Sequence, residues 1–160
     1  MSNNPFWDFS LQHYASESVQ ILCLQLQEQG CANVNLVLFS QWLALRGRCF
    51  NADLMAAHRE LNDWHERVVV PLRRARNAIK KTDWQATQSL YDGVKRSELD
   101  AERVEQDMLF CHKEKFPLAP DQPLLQDLAR CNLQAYLQTL SLTTDQVELF
   151  SAQIVAAVFK

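Results

Sequence analysis

The stretch Val34–Leu45, VNLVLFSQWLAL, restricts this chain more than any other. Only Asn35, Ser40 and Gln41 interrupt it, and they do not recur with a helical period. A helix with one wet face shows polar residues every third or fourth position. This one does not, so it must be enclosed by other elements. Asn33 is placed to cap its start and Gly47 lies near its end. A buried strand is the alternative, which the length of the run disfavours. Enclosure makes the polar exceptions informative, because a buried amide without a partner is costly. Asn35 and Gln41 either tie neighbouring helices together or face a pocket.

The flanking sequence supplies helices able to do the enclosing. The chain has 160 residues, 48% of them hydrophobic, with only 3 Gly and 5 Pro. That composition suits one domain over 1–160 with a sizeable core and short loops. Pro5 opens an aromatic helix containing Phe6, Trp7, Phe9 and Tyr14. Ser16 is placed to cap a second, with Val19, Leu22, Cys23 and Leu26 on one side and Gly30 at its end. From Asn51 a long periodic run follows, its apolar seam passing through Leu54, Ala57, Leu61, Trp64, Val68, Leu72, Ala75 and Ile79. Pro71 interrupts it, which predicts a kink or a junction of two helices near Val69–Pro71. A short helix around Trp84–Val94 and a stronger one capped by Ser97 come next. In the second of these Leu99, Val104, Met108 and either Leu109 or Cys111 form the apolar side. After the proline-rich break FPLAPDQP there is a run from Leu124 to Leu140, then a terminal helix opened by Thr143 and Gln146 as a capping box. The terminal helix is apolar enough to dock into the fold; if it protrudes, it is a contact for an oligomer, a homodimer among them, or for another partner. The fold expected is therefore all-α, a single-domain bundle of about six to eight helices around the central helix at 34–46.

Several function classes drop out. Five cysteines without CxxC spacing argue against a disulfide framework and against a compact zinc site, and suit a reducing cytoplasm. No apolar run reaches the roughly 18–20 residues of a membrane span, and no basic-then-apolar leader opens the chain. There is no HExxH, P-loop, GxSxG or dinucleotide glycine fingerprint. No cofactor and no metal site is expected, and whether the chain is an enzyme stays open.

Two charged constellations remain. Between Arg67 and Lys81 the charges are Arg67, Arg73, Arg74, Arg76, Lys80 and Lys81, with no acidic residue among them. On a helix Arg73, Arg76 and Lys80 share one side, and Arg67, Arg74 and Lys81 another. Such a set holds an anionic partner or is neutralised internally. Glu98, Glu102 and Glu105 are the matching feature, lying along one face at i, i+4 and i+7. Their preferred role is to meet the basic run across the bundle. They do not suit a dimetal centre, which needs Glu-x-x-His pairs on several helices.

The segments FWDFSLQHYA, NVNLVLFSQWLA and VVVPLRRARNAIK together resemble a family of uncharacterised small proteobacterial proteins of about this length. The resemblance spans nearly the whole chain. Its characteristic positions fall on Phe6, Trp7, Tyr14, Asn35, Phe39, Trp42, Pro71, Arg73 and Arg76. It implies a bacterial cytosolic origin and carries no biochemical activity.

The leading functional expectation is an interaction or regulatory module whose basic helix, 67–81, binds an acidic protein partner, with Arg73 and Arg76 exposed. The alternative is a small-molecule binder or enzyme in which Asn35, Arg73 and some of Glu98, Glu102 and Glu105 line a cavity lidded by Trp7 or Tyr14. Weak nonspecific nucleic-acid binding is a third reading. Sequence-specific DNA binding is disfavoured, because only Asn77 supplies the exposed amide that base readout needs beside the basic residues.

Overall fold

A computed structural model describes residues 3–160, and these form an all-α bundle. The helices are α1 (Pro5–Tyr14), α2 (Glu17–Gly30), α3 (Val34–Leu45), α4 (Ala52–Ala57), α5 (Arg59–Trp64), α6 (Val70–Lys80), α7 (Gln88–His112), α8 (Leu125–Leu137) and α9 (Thr144–Val158). A π turn, His65–Val69, joins α5 to α6 without a break, and a 3-10 turn, Lys113–Lys115, follows α7. Pairing of extended backbone is limited, among the described residues, to one bridge between Arg48 and Leu118.

Helix α3 is the centre of the bundle, as its composition demands. Ten consecutive residues, Asn35–Ala44, are buried. Asn33 caps it, its side chain accepting from the Asn35 N–H at 2.9 Å. Helix α8 packs along it most extensively, with α1, α2 and α7 on its other sides. Phe39 meets Phe6, Trp42 and Phe116 with ring centroids 5.2, 6.0 and 5.4 Å apart, so the aromatic cluster joins α1 and the segment after α7 to α3. Gln41 is a tie between helices, donating to the Ala129 carbonyl of α8 at 3.0 Å. The terminal helix α9 docks on α2 and α8, and its Thr143–Gln146 capping box forms.

Two stretches differ from expectation in ways that build the site. The run after Asn51 breaks at His58, which ends α4 and caps α5 by accepting from the Leu61 N–H at 3.3 Å. Farther on, the disruption foreseen at Pro71 takes the form of the π turn, which closes with the Val70 N–H on the His65 carbonyl just before the proline. The inward residues become Leu61, His65, Val69, Arg73 and Arg76. Steps of four drift around a regular helix of about 3.6 residues per turn. The wider π turn absorbs that drift and holds the five on one face. The predicted seam is displaced: Leu54, Ala57 and Ala75 are exposed, and α6 buries no residue at all.

Helix α7 is the second correction. It runs unbroken from Gln88 through Asp92–Gly93, and Ser97 lies within it, its hydroxyl donating to the Gly93 carbonyl at 3.0 Å rather than capping a new helix. Leu99 and Val104 of the predicted apolar side are exposed. The buried stripe is Glu98, Ala101, Glu105, Gln106 and Leu109. A polar stripe can be buried here because partners on α3, on the π turn and on α6 take up its two carboxylates and the Gln106 amide N–H, leaving Gln106 Oε1 without a partner.

Candidate functional site

The three carboxylates of α7 organise the polar interior. At the inner end, Glu105 is fully buried. Its Oε1 accepts a short bond from Asn33 Nδ2, and its Oε2 accepts from Asn35 Nδ2 at 2.9 Å. His65 Nδ1 lies 3.2 Å from Oε1 and 3.3 Å from Oε2. To donate there, His65 must carry its proton on Nδ1, so the 3.1 Å approach of Asn33 Nδ2 to the same atom is packing rather than a second bond. Gln106 Nε2 donates to Asn35 Oδ1 at 2.9 Å, which fixes the Asn35 amide the right way round for Glu105. From α8 the Tyr136 hydroxyl accepts the Asn33 N–H at 2.7 Å. Burial pushes the Tyr136 phenol up, with the Asn33 N–H pulling the other way, so it remains protonated.

One and two turns outward, α7 meets α6. Arg73 donates from Nε to Glu98 Oε1 at 3.1 Å and from Nη2 to Glu102 Oε1 at 2.9 Å. Arg76 donates a short bond from Nε to Glu98 Oε2. Glu98 is thus gripped by two guanidinium groups, whose fixed forks suit carboxylate oxygens. The bond to Glu98 raises the Arg76 pKa despite burial, and Tyr91 adds to the effect. Burial raises the Glu102 carboxyl, Arg73 opposes that, and Glu98 adds to it. Tyr14 is half-buried against the same charges. Burial raises its phenol, helped by Cys23 and Glu102 and opposed by Arg73 and Arg76.

Asn35 with Glu105, and Arg73 and Arg76 with Glu98 and Glu102, are therefore brought together. Arg73 and Arg76 are not exposed as the interaction reading required; their side chains are 15% and 22% accessible and turned inward. Nor do Asn35 and Glu105 open onto a cavity: their polar atoms are used on one another, and Glu105 is sealed from solvent. Trp7 does not lid this cluster but lies beneath Arg103, whose guanidinium carbon is 5.4 Å from the ring centre. Arg67, Arg74, Lys80 and Lys81 are exposed and make no ion pair among the described residues.

The sequence marks Asn33 only as a cap, and no motif or spacing in it points to His65. Gln106 and Tyr136 carry no such mark either. Only the π turn aims His65 at α7, and no residue spacing signals that turn. All five cysteines are free, and burial pushes the Cys23 thiol up to about 12. Among the described residues no group of three or more His, Cys, Asp or Glu is arranged to hold a metal, and no helix is long and apolar enough to cross a membrane.

Fold and site together define an all-α bundle whose polar interior is a hydrogen-bond and ion-pair network, with exposed cations on the α5–α6 run outside it. Residues 5–109 match the family described as "Protein of unknown function (DUF2390)", and the chain belongs to that family. The matched segment contains every member of both polar clusters except Tyr136. Searches of curated proteins and of solved structures found no match.

Proposed function

We propose that the chain is a binding module of the bacterial cytoplasm in which the outward face of the α6–α7 hairpin receives an acidic protein partner. The observation that supports this reading is the division of the basic run. Arg73 and Arg76 are consumed by Glu98 and Glu102, which fastens α6 to α7. Arg67, Arg74, Lys80 and Lys81 stay in solvent on a run that carries no carboxylate. An apolar anchor adjoins them, since Trp84 is 81% exposed three residues beyond Lys81 and Leu90 is exposed at the start of α7. Exposed cations beside an unpartnered aromatic suit an acidic segment with one or two apolar side chains. The cationic face speeds encounter and the aromatic supplies contact area.

A fluorescent polyglutamate peptide carrying one tryptophan is the direct probe. It should bind the wild-type protein, weaken with added salt, and lose most of its affinity when Arg74, Lys80 and Lys81 are all replaced by Glu. Unchanged binding by that triple variant overturns the proposal. Tighter binding of duplex DNA, with a steep salt dependence, transfers the same face to the nucleic-acid reading.

A further inference from the structure

A second site lies at the other end of α7, away from both polar clusters. A cavity of about 350 Å³ opens where α4, α5, the end of α7 and the 3-10 turn meet. That volume falls within the range of small-molecule pockets, about 300–1,000 Å³. Its apolar wall includes Leu54, Met55 and Phe116. Two imidazoles stand in the same wall, His58 and His112, with Nε2 of the first 3.1 Å from Nδ1 of the second and ring centroids 4.1 Å apart.

Hydrogen bonding decides where the protons of this pair are. His58 Nδ1 accepts the Leu61 N–H, so a neutral His58 carries its proton on Nε2. That proton points to His112 Nδ1, which places the His112 proton on Nε2. His112 Nε2 makes no hydrogen bond to protein among the described residues and is a donor on a residue that lines the cavity. In this state, however, the Met108 carbonyl oxygen faces the lone pair of His112 Nδ1 at 2.9 Å. A further proton on Nδ1 satisfies Met108 but sets two N–H groups against each other. Neither state is fully satisfied, and the protonated one carries a positive charge that suits an anion.

The charged groups around the pair favour the same sign of ligand. Arg59 and Lys115 line the cavity from α5 and the 3-10 turn, Glu60 is the one carboxylate among the lining residues, and α4 contributes none that is charged. A metal ion bridging the two rings would need the His58 Nε2 lone pair. That moves the His58 proton to Nδ1, directly against the Leu61 N–H. A carboxylate needs two or three donors, which His112, Lys115 and Arg59 supply.

We propose that this cavity binds a small organic carboxylate, its charged end held by the His58–His112 pair with Lys115 and its apolar body against Leu54, Met55 and Phe116. Binding is coupled to proton uptake, because the anion stabilises the imidazolium form. Free of ligand, His58 titrates below imidazole's ordinary 6.5, chiefly through burial and then through His112, with Glu60 opposing and Lys115 adding to the lowering. Affinity therefore rises as the pH falls through the His58 titration.

Benzoate is the probe and benzamide, nearly isosteric and uncharged, its control. Imidazole Cε1–H resonances of the intact protein are followed by NMR across the pH range with each compound. Benzoate should shift both the His58 and the His112 signals and move the His58 titration upward. A midpoint moved by one pH unit corresponds to about tenfold tighter binding to the protonated pair. His58→Asn keeps the cap on α5, since asparagine is among the strongest capping residues, and should remove the pH dependence. His112→Phe should abolish binding. Benzamide acting like benzoate, or neither histidine responding to millimolar benzoate in the wild-type protein, overturns the proposal.

Discussion

Helix α7 carries three carboxylates on one face, and the molecule treats them in two ways. Glu105 is sealed inside with two neutral amides and one imidazole. Glu102 and Glu98, one and two turns away, are shared between two guanidinium groups at the edge of the fold. A buried charge is tolerated when hydrogen bonds replace its hydration, and deep inside such donors come from residues already fixed by packing. Asn33 is held by its cap bond and by Tyr136, and Asn35 by Gln106. At the edge, flexible arginines do the same work and also fasten a helix that buries nothing of its own. The inner arrangement specifies one geometry; the outer one joins two helices whose apolar contact is thin.

The largest effect should come from the inner cluster. Glu105→Ala leaves Asn33, Asn35 and His65 without their acceptor in a dry interior. Each buried donor left unpaired costs about 1–3 kcal/mol, and chemical denaturation should report a loss of about 3 kcal/mol or more. The amide exchange that accompanies it should speed up at the start of α3 as well as in α7, because the α3 cap shares Asn33. A loss below about 1 kcal/mol, the value of an ordinary hydrogen bond, would mean that the two clusters are equivalent.

The outer pair should respond less, and with a pH signature. Arg73→Met removes a donor from both Glu98 and Glu102, while Arg76 still serves Glu98. Partial exposure lets water replace the lost bonds, so about 1–2 kcal/mol is expected near neutral pH. Glu102 already titrates above its ordinary value, chiefly from burial, and Arg73 is the group holding it down. Without Arg73 it should titrate higher still. A carboxylate whose folded pKa is raised destabilises the fold while ionised and ceases to do so once protonated. The deficit of the variant should therefore shrink as pH falls through the new Glu102 titration. Carboxylate NMR together with melting curves across that range checks both statements.

The two clusters were unequally legible. Helix α3 announces its burial because it has no polar period to expose, and Asn35 was singled out on that ground alone. The meeting of Arg73 and Arg76 with Glu98 and Glu102 followed from charge and spacing. The Glu105 cluster did not, for two physical reasons. Apolar periodicity drew attention to Leu99 and Val104, which face solvent, whereas the face that α7 buries is polar because its partners lie far away in sequence. The π turn then changes the step of the helix between α5 and α6, so a regular 3.6-residue count aims His65 elsewhere. Pro71 marks where the helix is disturbed, but not that the disturbance is a π turn.

Neighbouring arginines give the finest test of the division between inside and outside. Arg73 and Arg74 are adjacent on α6, yet one is bonded to two carboxylates and the other stands exposed in water. Arg74→Ala should change stability by no more than about 0.5 kcal/mol, as surface substitutions away from specific contacts do. Alanine is also the better helix former, which offsets the little that the long side chain contributes by covering its neighbours. The same change should weaken polyglutamate binding several-fold, because one of four unpaired cations is lost from the outward face. Arg73→Met should give the reverse pattern, a stability loss with near-normal binding at temperatures where it remains folded. If both substitutions reduce binding equally, the hairpin does not separate a clamp from a docking face, and the acidic partner must engage Arg73 by competing with Glu98 and Glu102 for it.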